Sequence, residues 1–381
     1  MIIVCTYKYK LYRSKKNKNL YQQINIAGLI YNHCIALHRR YYRLYDKHLN
    51  QYKLMKHIAK LKKRSKYAHW NLLGSQAIQD IAQRIEKAYQ LFYRNLKHGI
   101  KTSPPGFKKV KKYKSYTLKQ AGWKLLDGNK IKIGNKIYKY SKSRELPEKI
   151  KTVTIKRDPL GHIYLYFSIQ EEIEVPDRQD NISIGFDFGL QTFLVGSDGT
   201  RYDAPMYYHR LQKDLAKTQK SLSSKQKGSN NRNKARQAVY RVHRRISNLR
   251  RDYYFKLSHE LTNKYDYIFL EDLNLKGMQQ LWGKKISDLG YAAFVNILQH
   301  IALIKGTKVV FIDRYYPSSK TCHVCGAVNH NLTLSDRTWT CTSCDTSHDR
   351  DENAAINIHM EGTSSIGLGN VRPASVETVS A

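Results

Sequence analysis

Cys322-His323-Val324-Cys325, then fifteen residues, then Cys341-Thr342-Ser343-Cys344, and close behind them His348-Asp349-Arg350-Asp351-Glu352-Asn353-Ala354-Ala355-Ile356-Asn357-Ile358, form the stretch on which this chain turns. Two Cys-x2-Cys pairs at that separation have the spacing of a zinc ribbon, in which each pair sits on a tight turn and four thiolates close a tetrahedron. Cys322, Cys325, Cys341 and Cys344 are therefore expected to hold one structural Zn2+. His323 lies between two of them, but four sulfurs already complete the set. The acidic segment that follows needs more explanation, because one Asp suffices to cap a helix and Asp349, Asp351 and Glu352 crowd like charges together. Something positive is expected opposite them.

The chain has 381 residues, enough for two or three domains. It carries 67 Lys and Arg against 30 Asp and Glu, a formal charge of +37, which points to a polyanionic partner and above all to nucleic acid. Residues 1 to 150 hold 36 basic and 6 acidic side chains and the remainder 31 and 24, so the electrostatic grip is expected at the N-terminal end and the carboxylate chemistry beyond it. A ribosomal or chromatin-type binder would share the charge without needing the acidic half. Tyrosines interleaved with Arg, as in Arg39-Arg40-Tyr41-Tyr42-Arg43-Leu44-Tyr45, suit stacking on bases, with about a third of the 29 tyrosines expected in such contacts. Cys5 and Cys34 stand apart from the ribbon, so no disulfide framework is expected and the compartment reads as cytoplasmic. No signal peptide, membrane span or Walker A sequence is present in the chain as read.

Residues 2 to 12 read as a strand, after which Leu20, Ile24, Ala27, Tyr31 and Cys34, and later Ile78, Ile81, Ile85, Ala88 and Phe92, recur at helical spacing. Ser103-Pro104-Pro105-Gly106 ends the helices, and alternating strands follow, with Asp158-Pro159-Leu160-Gly161 as a hairpin turn. This predicts a small β-barrel interrupted by a basic helical bundle, with Glu171 to Asn181 as a polar linker out of it. From Ile182 short apolar strands alternate with helices: a basic helical hairpin over 206 to 262, an apolar helix marked by Phe294, Ile297, Ile301 and Ile304, and a strand over Lys308 to Asp313. That pattern predicts an α/β sheet.

Three acids stand at the ends of these elements. Asp187 follows Ile182, Ile184 and Phe186, Glu271 ends the run from Tyr267 to Leu270, and Asp351 heads a helix. Any one of them could be a cap or a solvated strand end. Gathered at one sheet edge they would resist joint ionisation unless divalent cations lay between them, and two Mg2+ or Mn2+ ions in such a site suit phosphodiester hydrolysis.

Gly185-Phe186-Asp187-Phe188-Gly189, Phe269-Leu270-Glu271-Asp272-Leu273, Pro317-Ser318-Ser319-Lys320-Thr321-Cys322 and the His348 to Ala355 segment resemble the TnpB family of transposon-encoded, RNA-guided DNA nucleases, relatives of the type V CRISPR effectors. The resemblance covers nearly all of 180 to 360 by motif and the earlier part by architecture alone. It implies an RNase H-like RuvC fold with Asp187, Glu271 and Asp351 as catalytic, metal-binding acids. It implies a wedge-like β-barrel at 1–15 and 101–178, a helical recognition domain at 16–100, and a nuclease domain at 179–317 and 346–361 with the ribbon at 318–345; separately, the Gly-, Ser- and Thr-rich composition without periodicity predicts a structureless tail at 362–381. The implied partners are a guide RNA from the transposon end and double-stranded DNA with a short flanking motif, in a monomeric, nucleoid-associated prokaryotic protein without membrane attachment. Phe188 and Asp345 depart from the family pattern, the latter standing where Gly commonly follows the last Cys. A nuclease-inactive RNA-guided regulator and a transposase acting on transposon ends are the alternatives.

Lys62, Lys63 and Arg64, and Arg241, Arg244, Arg245, Arg250 and Arg251, form dense basic runs expected to meet guide or target phosphates, the competing reading being a solvated helix face. His348 and Asp349 flank the third acid and read as caps or local bonding groups before any role at a phosphate. Asp272 and Glu352 adjoin the chosen acids and should point elsewhere.

Overall fold

The computed structural model describes residues 1–178, 180–190, 192–333 and 335–367, which divide into two compact units after Ile173. The first unit opens with β1 (Ile2–Leu11), continues through α1 (Asn17–Tyr45), α2 (Gln51–Leu61) and α3 (Ser75–Lys97), and then runs through β2 (Ser115–Leu118), β3 (Trp123–Leu126), β4 (Lys130–Ile133), β5 (Lys136–Ser141), β6 (Ile150–Arg157) and β7 (Ile163–Glu172). The sheet order is β2-β6-β7-β1-β5-β4-β3, with β1 antiparallel to both β7 and β5 through pairs such as Ile3↔Glu171 and Lys10↔Ser141. The first strand is thus completed only after the helices. Alternate residues Ile163, Leu165, Phe167 and Ile169 are buried, and Tyr9 meets both Tyr140 and Phe167 edge-to-face.

The expected barrel is an open sheet in its hydrogen bonding, since no ladder joins β2 to β3 among the described residues. The outer edge of β2 already has partners on α3. Asp80 accepts from the Thr117 N–H at 2.9 Å, and Arg84 donates to the Ser115 carbonyl at 2.9 Å. Side chains that satisfy an edge leave nothing there for another strand to pair with.

The second unit contains β8 (Ser183–Asp187), β9 (Thr192–Gly196), β10 (Arg201–Asp203), α4 (Tyr207–Arg210), α5 (Gln212–Ser223), α6 (Asn230–Lys264), β11 (Tyr267–Glu271), α7 (Leu275–Leu289), α8 (Tyr291–Lys305), β12 (Lys308–Ile312), β13 (Thr338–Thr340), β14 (Ser347–Asp349) and α9 (Arg350–Ser365). Its main sheet runs β10-β9-β8-β11-β12, antiparallel as far as β8 and parallel from β8 to β12. Both faces of β8 and β11 are largely buried, as interior strands of such a sheet require. The basic hairpin is α5 and α6, with the Ser229 hydroxyl accepting from the Arg232 N–H to start α6. Sequence periodicity missed α7, although Asn274 caps it and Gly290, at φ 59°, divides it from α8.

Two expectations are corrected by packing. Helix α9 runs to Ser365 rather than ending before a tail at 362, because Gly362 is a point of close approach: a Cβ there would collide with the Phe269 ring. Residues 368–381 of the expected tail lie outside the described residues. The linker is also less free than its polar composition suggests. Glu171 and Glu172 belong to β7, and Arg178 donates to the carbonyls of Thr262, Tyr265 and Lys305 and to Asp266 at 2.8 Å.

Asp266 is buried and also accepts from the Ile182 N–H, so the Arg178 pair fixes the start of β8 against the end of α6. Arg178→Ala should destabilise the second unit by about 3 kcal/mol, since it leaves a buried carboxylate unpaired. A thermal midpoint unchanged from that of the parent would contradict this.

Candidate active site and metal centre

Strands β8 and β11 run parallel with Phe186 opposite Leu270, so the next residues, Asp187 and Glu271, stand side by side at their carboxyl ends. Such ends of an open α/β sheet are where ligands bind. Helix α9 supplies the third acid. It lies against β8 because Gly185 has no side chain: a Cβ there would come within 2.5 Å of the Ala355 carbonyl oxygen and the His359 N–H nitrogen. Ser183 and His359 add a buried contact of 2.6 Å between hydroxyl and Nε2. With α9 held there, its first turn brings Asp351 to the other two acids.

Asp187 senses the other two carboxyls. Burial first, then the charges of Glu271 and Asp351, drive the Asp187 carboxyl well above the ordinary range. Glu271 is also pushed up by burial, against the pull of a hydrogen bond from the Ser318 hydroxyl. Tyr291 is raised by burial and by Glu271 and Asp187. Burial and the two neighbouring acids outweigh the charge of Arg350, which pulls the Asp187 carboxyl the other way. This all-oxygen donor set fits a hard divalent cation. The acids are more widely spaced than the cysteines, which are the group among the described residues whose ligand atoms all lie within 4.8 Å.

Part of the expected positive charge is protein. Arg201 pairs with Asp349 at 3.2 Å and with Glu352 at 3.6 Å, and Arg337 reaches Asp351 at 3.6 Å. Asp349 caps α9, accepting from the N–H groups of Asp351 and Glu352. Although partial burial works the other way, those bonds and Arg201 pull its carboxyl below the usual range. Asp272 turns to Arg314 at 2.6 Å.

The cysteine cluster tests well against zinc. Sγ separations of 3.6 Å for Cys322–Cys344 and Cys325–Cys341 are near the ~3.8 Å edge of a tetrahedron with Zn–S of ~2.3 Å, and far beyond a disulfide of ~2.05 Å. Each knuckle closes alike: the Gly326 N–H donates to the Cys322 carbonyl and the Asp345 N–H to the Cys341 carbonyl, both at 2.9 Å. The residue after each pair has positive φ, 76° at Gly326 and 51° at Asp345. The hydroxyl and N–H of Thr346 draw Cys344 down to about 6, which favours the thiolate. His348, rather than His323, meets the cluster, its Nε2 lying 3.1 Å from Cys322 Sγ. His323 bonds to Asn353 Oδ1.

Sequence reasoning missed Ser318, Asn353, Asn357 and this role of His348. None is charged, and their partners are mostly backbone groups, so spacing gave no signal for them. The basic candidates separate. Lys63, Arg64, Arg241, Arg245 and Arg251 are exposed, Arg251 lying over the Phe255 ring, and Lys62 and Arg244 are half-buried. Arg250 is a structural cation, bonded at 2.9 Å to Asp288, which is buried and also accepts from the N–H groups of Tyr208 and His209. Eleven tyrosines are buried, and of the Arg39–Tyr45 run Tyr42 and Tyr45 are exposed.

Residues 166–281 match the OrfB_IS605 family, described as "Probable transposase", and residues 291–358 match the "Cas12f1-like, TNB domain". The "Putative RNA-guided DNA endonuclease" of Streptomyces pristinaespiralis is 29% identical over 376 residues, covering 96% of this chain and 92% of that protein. Its Escherichia coli K12 counterpart, InsQ, is 27% identical over 316 residues, 78% of this chain and 77% of that one. A Cas12f1 chain solved with single-guide RNA and target DNA shares the fold at a TM-score of 0.59 and 16% identity, over 91% of this chain and 83% of that one. The chain is thus similar over these two stretches to probable transposases and to the Cas12f1-like TNB domain. It also resembles TnpB-like proteins, one of which, from Acanthamoeba polyphaga mimivirus, is 31% identical over 59% of this chain and 46% of that one.

Metal analysis of the purified chain should give one zinc per chain, lost in Cys341→Ser together with stability. Asp345→Gly should raise the thermal midpoint, gaining about 0.5–1 kcal/mol by relieving a left-handed backbone that glycine adopts freely. A midpoint that falls would contradict that account of the second knuckle.

Proposed function

We propose that the chain is an RNA-guided DNA endonuclease whose second unit is a RuvC nuclease domain of RNase H-like fold. The observation that carries this is the Asp187 carboxyl, raised by burial and by Glu271 and Asp351 at adjoining strand and helix ends. Such a site is costly unless a cation neutralises it. Asp187, Glu271 and Asp351 would hold two Mg2+ or Mn2+ ions. When bound, such a pair polarises water and offsets charge on the reacting phosphodiester. The chain's own residues fix the acids: parallel pairing sets Asp187 beside Glu271, and the α9 contact at Gly185 sets Asp351.

The first unit, with 36 basic side chains in residues 1 to 150, would hold guide RNA and check a short flanking motif on double-stranded DNA. Exposed Lys63, Arg64, Arg241, Arg245 and Arg251 are candidate phosphate contacts. The names of the Streptomyces pristinaespiralis and Escherichia coli relatives support a guided nuclease over a transposase acting on transposon ends. Retention of all three acids supports cleavage over guided repression.

The chain purified from cells carrying its native flanking DNA should bring down a discrete RNA and cut DNA complementary to that RNA only with Mg2+. Asp187→Ala should lower the rate at least about 1,000-fold while keeping the RNA. Absence of a discrete RNA would overturn guidance, and RNA without cutting would favour the regulator. A second test uses stability. An acid raised in the folded state binds more protons there, so its stabilising contribution is present at low pH and lost as pH rises through the raised value. At neutral pH without divalent cations, Asp187→Asn should therefore stabilise the chain by about 1–2 kcal/mol, seen as a higher thermal midpoint.

A further inference from the structure

Ser318 stands between β12 and the first zinc cysteine, and it is 3% exposed. Its hydroxyl donates to Glu271 Oε1. Its carbonyl accepts from Asn357 Nδ2 at 2.8 Å, while the Thr321 carbonyl accepts from Asn357 Nδ2 at 2.6 Å and Asn353 Nδ2 at 2.8 Å. Both amides lie on one face of α9, one turn apart, just beyond Asp351. Asn353 Oδ1 accepts from the His323 N–H at 3.1 Å, so the same clamp grips the first knuckle. The Pro317 carbonyl accepts from the N–H groups of Lys320 and Thr321, folding 317–321 into a tight turn.

We infer that Ser318 is a positioning residue for the divalent-cation site, fixing the Glu271 carboxylate relative to Asp351 through the Asn353–Asn357 clamp; this rests on the nuclease reading above. Glutamate has one more rotatable bond than aspartate, so Glu271 has more freedom to lose on binding a cation than Asp187 or Asp351. A hydroxyl removes that freedom without cancelling the charge, as Lys or Arg would. It occupies one carboxylate oxygen and leaves the other to a cation. Because the clamp holds Ser318 and Asp351 from one helix, a shift of α9 carries both acids together. Groups that hold a ligating carboxylate in this way alter metal affinity by factors of about 10–100 when removed.

The test is Mn2+ binding to the full chain, freed of nucleic acid, followed by calorimetry, with zinc content and thermal midpoint measured alongside. Ser318→Ala should weaken Mn2+ binding about 10-fold and raise by a similar factor the Mg2+ needed for half-maximal cleavage. Zinc content should stay at the parent value, and the midpoint should fall only by the loss of one hydrogen bond, about 2–4 °C. Ser318→Thr, which keeps the hydroxyl, should restore Mn2+ affinity, and in a Glu271→Gln background Ser318→Ala should add nothing. Unchanged Mn2+ affinity in Ser318→Ala, or loss of zinc and a larger fall in midpoint with it, would overturn the positioning role. Mn2+ binding that is absent in the parent, or insensitive to Asp187→Ala, would overturn the nuclease reading on which the role depends.

Discussion

Helix α9 lies on the β8–β11 sheet at backbone distance, and that contact governs the second unit. Gly185 faces the Ala355 carbonyl and the His359 N–H, and Gly362 faces the Phe269 ring, at spacings that admit no Cβ. Neither glycine is there for a turn. The helix begins at the Asp349 cap and presents Asp351 in its first turn, so moving it away from the sheet by the depth of a methyl group would separate the third acid from the other two.

The same helix joins two sites of different chemistry. Four sulfurs close the knot around a soft-ligand position, while the acids offer oxygen to hard cations. Asn353 and Asn357 connect them, holding the turn that leads into Cys322, and Ser318 on that turn reaches Glu271. The knot therefore does more than stiffen a loop. Its entry segment is part of the wall of the acidic site, and Arg337 from beside the β13 strand pairs with Asp351.

Much of this was legible from residue type and spacing. The interrupted sheet, the paired cysteines and the three acids each leave a local pattern, because strand alternation, knuckle spacing and strand-end carboxylates are short-range features. What escaped depends on contacts between distant residues. Arg250 sits in a basic run yet bonds buried Asp288, 38 positions away. Gly362 read as a helix end, since the Phe269 ring it admits is invisible from the sequence. Asp80 and Arg84 occupy the edge of β2 and keep the first sheet open, and many tyrosines that suited base stacking fill the cores.

The central claim is that Asp187, Glu271 and Asp351 share divalent cations. Anomalous diffraction at the manganese edge, from crystals of the chain grown with Mn2+, tests it most directly. The account predicts two peaks among these three carboxylates. Manganese found elsewhere, or a single peak held by Asp349 and Glu352 in place of the three acids, would contradict it.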